Sequence, residues 1–141
     1  MYMAPEVRYG ESGSSYNVDV YSLGLVMYRL LNGNRMPFEP ADKEMISFQE
    51  REEALARRLR GEKLPLPAKA DPALGRIIVK ACEADKTKRY QSAEEMKADL
   101  LLLAVDKGRK EKQQRRQKQK NKGSRQDPAS KRRLNLRKKR Q

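Results

Sequence analysis

Side chains that usually carry chemistry are scarce in this sequence. It has no histidine and one cysteine, Cys82. A lone thiol excludes an intramolecular disulfide, and without histidine or a second thiol no zinc ligand set can be assembled. No G-x-G-x-x-G loop is present to cradle a phosphate chain. What the chain has in abundance is charge: 33 Lys and Arg against 19 Asp and Glu, a net +14. That excess is not spread evenly. Residues 1–105 hold 16 basic and 16 acidic residues, whereas residues 106–141 hold 17 basic and 3 acidic. A neutral portion is thus followed by a cationic one. Residues 107–140, with the clusters Lys131-Arg132-Arg133 and Arg137-Lys138-Lys139-Arg140, have the charge to adhere to nucleic acid or to an anionic membrane surface. Aromatic residues are absent there, which argues against base stacking and sequence readout.

The elements that must position any site are helical. Residues 1–16 read as loop, punctuated by Pro5, Gly10 and Gly13. In residues 18–31 the apolar side chains Val18, Val20, Leu23, Leu25, Val26, Met27, Leu30 and Leu31 cover almost every direction around a helix, the pattern of a buried core helix. Gly33 is placed to close it in a left-handed conformation. Ser47-Phe48-Gln49-Glu50 has capping-box spacing for a second helix with Leu55 and Leu59 inward. Asp71-Pro72 supplies an N-cap and an N1 proline for a third, with Leu74, Ile77, Ile78, Ala81 and Cys82 on one face. Ser92-Ala93-Glu94-Glu95 opens a fourth through Met96, Leu100 and Leu103. No strand pattern reaches five residues, so the fold class is all-α. No apolar run approaches the roughly 18 residues of a membrane span. Beyond residue 106 only Ala129, Leu134 and Leu136 are apolar, and the tail is expected to be disordered because it buries too little to offset chain entropy, with a helical continuation as far as about Gln114 left open.

Several short motifs occur in a telling order. Tyr2-Met3-Ala4-Pro5-Glu6 resembles the A-P-E end of the protein-kinase activation segment. Asp19-Val20-Tyr21-Ser22-Leu23-Gly24 is similar to the D-x-W-S-x-G that opens the central helix of the kinase C-lobe, with Tyr21 at the usual tryptophan. Leu31-Asn32-Gly33 and Met36-Pro37-Phe38 resemble that helix's end and the following L-P-F turn. Lys80-Ala81-Cys82-Glu83-Ala84-Asp85-Lys86-Thr87-Lys88-Arg89-Tyr90 is similar to the L-x-x-D-P-x-x-R segment before the last helix, with Lys86 at the usual proline. The helix at residues 51–61, followed by Leu64-Pro65, and the Ser92-Ala93-Glu94-Glu95-Met96 helix start look most like serine/threonine kinases of the bacterial, eukaryotic-like type.

The resemblance implies a partial C-lobe in residues 1–105, from the A-P-E motif onward, and a basic, juxtamembrane-like tail in residues 106–141. It implies that Tyr2 and Met3 belong to the loop receiving the substrate residue after the phosphorylated hydroxyl. Glu6 and Arg89 would form a buried ion pair, and Asp19, largely buried, would anchor the catalytic loop. In the full-length parent ATP and Mg²⁺ would support phosphoryl transfer to serine or threonine of protein substrates. This chain has no H-R-D-x-x-x-x-N loop, D-F-G magnesium ligand, strand lysine or glycine-rich loop. It is therefore expected to hold no cofactor and no catalytic residue of its own, and to read as a truncation from a cytoplasmic, membrane-proximal kinase. The other reading open to the sequence is a non-catalytic binding module acting through its basic tail.

Overall fold

A computed structural model describes residues 2–10 and 16–125, with side chains given through residue 122. The chain divides into two compact units, Met1–Leu103 and Ala104–Gln141. Among the described residues five helices follow in order: α1 (Pro5–Arg8), α2 (Tyr16–Leu30), α3 (Phe48–Leu59), α4 (Pro72–Ala81) and α5 (Ala93–Arg125). Among the described residues there is no strand, in keeping with the all-α reading. No described helix is long and apolar enough to cross a membrane.

Local chemistry sets the starts of three of these helices. Ser47 accepts from the Glu50 amide at 3.2 Å while Glu50 accepts from the Ser47 amide at 2.9 Å, a reciprocal box that satisfies two otherwise orphaned donors. Asp71 accepts from the Ala73 amide at 2.8 Å, with Pro72 pre-set for the first turn. Ser92 accepts from the Glu95 amide at 3.1 Å, and the Glu95 carboxylate reaches back to the Gln91 amide at 2.8 Å. The expected loop over residues 1–16 contains a surprise in α1. Its proline sits at N1, so a short helix forms without losing a hydrogen bond.

The first unit is organised around α2 and α4. Tyr21, Leu25 and Tyr28 of α2 bury against Ile78 and Cys82 of the α4 end, with Ala4 and Met36 completing the cluster. The two helices approach closely at Gly24, where an added Cβ would lie 2.8 Å from both the Ala81 Cβ and the Cys82 Sγ. A second cluster joins Val20 and Ala81 to Tyr90 and Met96. After α2 the chain reverses through Gly33 at φ +63° and Asn34 at φ +61°, the left-handed conformation expected of the glycine.

Three expectations need correction. The α2 helix is not covered on every side: Leu23, Val26 and Leu30 are exposed on one stripe, together with Tyr16. In α3 the most buried residues are Ala54 and Arg58, while Leu55 and Leu59 are only half-buried. Arg58 is buried as a whole residue, 5% exposed, its charged head included. The basic tail, expected to be disordered beyond a helical continuation to about Gln114 at most, is helical as far as Arg125. Lys, Arg, Gln and Glu dominate that stretch, and these straight-chain residues lose little rotamer freedom in a helix. The clusters at residues 131–133 and 137–140 lie outside the described residues.

Candidate functional site

The segment at residues 2–8 is held from two directions. On one side α2 presents Ser22 and Arg29, seven residues and about two turns apart and hence on one face. Ser22 Oγ donates to the Tyr2 carbonyl at 2.9 Å, and Arg29 Nη1 donates to the Tyr2 hydroxyl at 2.7 Å. Tyr2 is thereby fixed at both ends, half-buried against the main core cluster. Its neighbour Met3 projects outward, 53% exposed. Ala4 is fully buried and extended, as the residue before a proline tends to be, and this directs the chain into α1.

From the other side the segment is tied down by Arg89, which is 1% exposed. Its Nη1 and Nη2 donate to the two Glu6 carboxylate oxygens at 2.8 and 3.1 Å. This is a forked, bidentate pair. The guanidinium's remaining donors are also placed: Nη1 on the Asn17 carbonyl at 2.9 Å, Nε on the Glu83 carbonyl at 2.9 Å and Nη2 on the Ala84 carbonyl at 3.3 Å. Its Cζ lies over the Tyr21 ring, 4.8 Å from the centroid. Burial by itself would push the Glu6 carboxyl up, but the Arg89 hydrogen bonds, a backbone amide and the Arg89 charge outweigh it and hold Glu6 below the ordinary carboxylate range. Residues 83 positions apart are thus locked together, and the segment carrying Tyr2 and Met3 cannot move independently of the α4–α5 connection.

Asp19 does not join them. It lies in the first turn of α2 and is exposed, with no hydrogen bond or ion pair to it among the described residues. Its expected burial depended on backbone donors from a catalytic loop, and this sequence contains no such loop. A helix N-terminal position is itself favourable for a carboxylate, so its place there is not strained.

Sequence reasoning missed three contributors. Ser22 and Arg29 fix Tyr2, yet both sit inside an apolar helical pattern that gave no sign of this. The Asn17 carbonyl is an Arg89 acceptor, and a main-chain group leaves no trace in residue type. Between α1 and α3 lies a cavity of about 330 Å³, bordered by Arg8, Arg51 and Arg58, by Glu39 and Glu52, and by Phe48. Phe48 lines it while staying 80% exposed.

A magnesium–nucleotide complex needs converging carboxylates on the metal and a basic or glycine-rich cradle on the phosphates. Among the described residues no three Asp, Glu, Cys or His side chains come together as a metal site.

Comparison with known proteins identifies the family. The family described as Protein kinase domain matches residues 1–101. The serine/threonine-protein kinase PknB of Mycolicibacterium smegmatis is 35% identical over 107 residues, which covers 72% of this chain and 15% of that protein. PknB of Mycobacterium tuberculosis is 37% identical over 103 residues, again 72% of this chain and 15% of the relative. A probable serine/threonine-protein kinase of Zea mays, CCRP1, is 56% identical over 41 residues, 29% of this chain and 6% of its own length. The chain thus spans about 15% of the length of the first two relatives. With the motif order, the helical fold and the family match in agreement, this chain belongs to the protein kinase family and corresponds to part of its C-terminal lobe.

Proposed function

We propose that the chain is the substrate-facing part of a serine/threonine kinase C-lobe, working within a longer kinase that transfers phosphate from ATP to serine or threonine of proteins. The observation that carries this reading is the pairing of a doubly tethered Tyr2 with an outward Met3, on a segment locked by the buried Glu6–Arg89 fork. A rigid base with one free apolar side chain suits a role in seating the substrate residue that follows the phosphorylated hydroxyl. The groove bordered by Arg8, Glu39, Phe48, Arg51 and Glu52 would give a protein substrate further hold, with an aromatic anchor among charges of both signs. Nucleotide, metal and catalytic base come from other parts of the longer protein. By itself this chain binds no Mg-ATP and transfers no phosphate, because catalysis of this kind rests on positioning and charge around the metal and nucleotide. The basic residues 107–140 add adhesion to a polyanion.

Two measurements test the reading. Calorimetry of the chain with Mg-ATP should give no saturable heat; saturable binding lost on mutating a residue of this chain would overturn it. In the longer kinase, Met3→Glu should raise KM for a protein substrate and leave KM for ATP unchanged. Equal effects on both would show that Met3 does not face the substrate.

A further inference from the structure

The second unit presents a different kind of surface, whose argument does not depend on the kinase reading. Residues 107–122 carry nine basic side chains, one acidic side chain (Glu111) and no aliphatic or aromatic side chain. They are helical, and residues 109–122 are all exposed. At about 100° per residue these cations point to every side, leaving no empty arc wider than about 80°. No half of the circumference holds more than about six of the nine. An interfacial membrane helix has the opposite design, with cations on one face and an apolar face to insert. On a flat leaflet this helix would leave a third of its charge turned away and would bury nothing. The major groove of duplex DNA, about 12 Å wide, accepts a helix of about 10–12 Å diameter and puts a phosphate strand on each side of it. A second physical gain follows. Lys112, Arg116 and Lys120 repel one another at i, i+4 spacing, as do Lys118 and Lys122, and nearby phosphates relieve that repulsion.

We propose that residues 107–122 form a DNA-binding helix that lies in the major groove of duplex DNA and engages both phosphate strands without base specificity.

The test is fluorescence anisotropy of the full chain with a short duplex of DNA, with a single strand of the same sequence, and cosedimentation with phosphatidylserine–phosphatidylcholine vesicles. Duplex affinity should fall about a thousandfold or more between roughly 50 and 200 mM salt, with a log–log slope of about −5 to −8 for six to nine phosphates. Changing the duplex sequence should leave affinity unchanged. The variant R115Q/R116Q/K118Q/K120Q keeps good helix formers at exposed positions, and its slope should be shallower by about 3–4. An unchanged slope in that variant would overturn the proposal. So would single-strand affinity equal to that of the duplex, the behaviour of a flexible polycation, or retention on vesicles at a salt concentration where duplex binding is lost.

Discussion

Replacing Arg89 should damage the fold more than replacing its partner Glu6, and the size of the difference follows from the contacts. Arg89→Met removes a guanidinium that is 1% exposed and leaves the 8% exposed Glu6 carboxylate without its counter-charge. Removing one partner of a buried pair costs about 3–5 kcal/mol. The carbonyls of Asn17, Glu83 and Ala84 lose a donor in the same step, so the upper part of that range is expected. Glu6→Gln keeps the shape and one acceptor, and Arg89 retains its three carbonyls. The buried Arg89 charge is then left without its counter-charge, but those acceptors still solvate it, so the lower part of the same range, about 3 kcal/mol, is expected. Against a typical domain stability of about 5–15 kcal/mol, both should be plain in urea denaturation followed by circular dichroism at low protein concentration. The pH dependence adds an independent check. The folded Glu6 carboxyl lies below the ordinary 4.5, so its contribution is complete above the unfolded value and is lost as pH falls through the folded one. The stability gap between the parent chain and Glu6→Gln should therefore be flat above about pH 5.5 and close below the ordinary 4.5. An Arg89→Met cost under about 1 kcal/mol, or a gap that persists at acid pH, would refute the argument that this fork fixes the segment.

Three further outcomes are expected. Gly24→Ala should destabilise by about 1–3 kcal/mol despite alanine's better helix propensity, because its methyl would sit 2.8 Å from Ala81 and Cys82; a more stable variant would mean that α2 and α4 can part. The Cys82 thiol, buried and pushed up to about 12 chiefly by that burial, should resist iodoacetamide at neutral pH and react once urea unfolds the chain, as mass spectrometry can read. The exposed stripe of Leu23, Val26 and Leu30 should make the chain self-associate, and L23E/L30E should lower light scattering without shifting the urea midpoint downward; a destabilised variant would show these leucines to be packed.

Much of this protein is legible one turn at a time. Ser47 with Glu50, Asp71 with Pro72, and Ser92 with Glu95 each announce a helix start, because capping joins residues at most four apart and needs no distant partner. The order of motifs pointed to the family, and the partition of charge separated residues 1–105 from the rest without any coordinates. The helical stretch up to Arg125 was legible too, in its Lys, Arg and Gln content, but the lack of apolar residues pointed the other way. Burial was another matter, since it depends on what covers a residue from elsewhere in the chain. Tertiary structure alone decided that Arg58 is buried and Asp19 exposed, that Leu23 and Leu30 face outward from an apolar helix, and that Arg89 collects carbonyls from Asn17, Glu83 and Ala84. An aspartate at a helix start looks the same in sequence whether or not a loop arrives to cover it, and a main-chain carbonyl has no residue type to read.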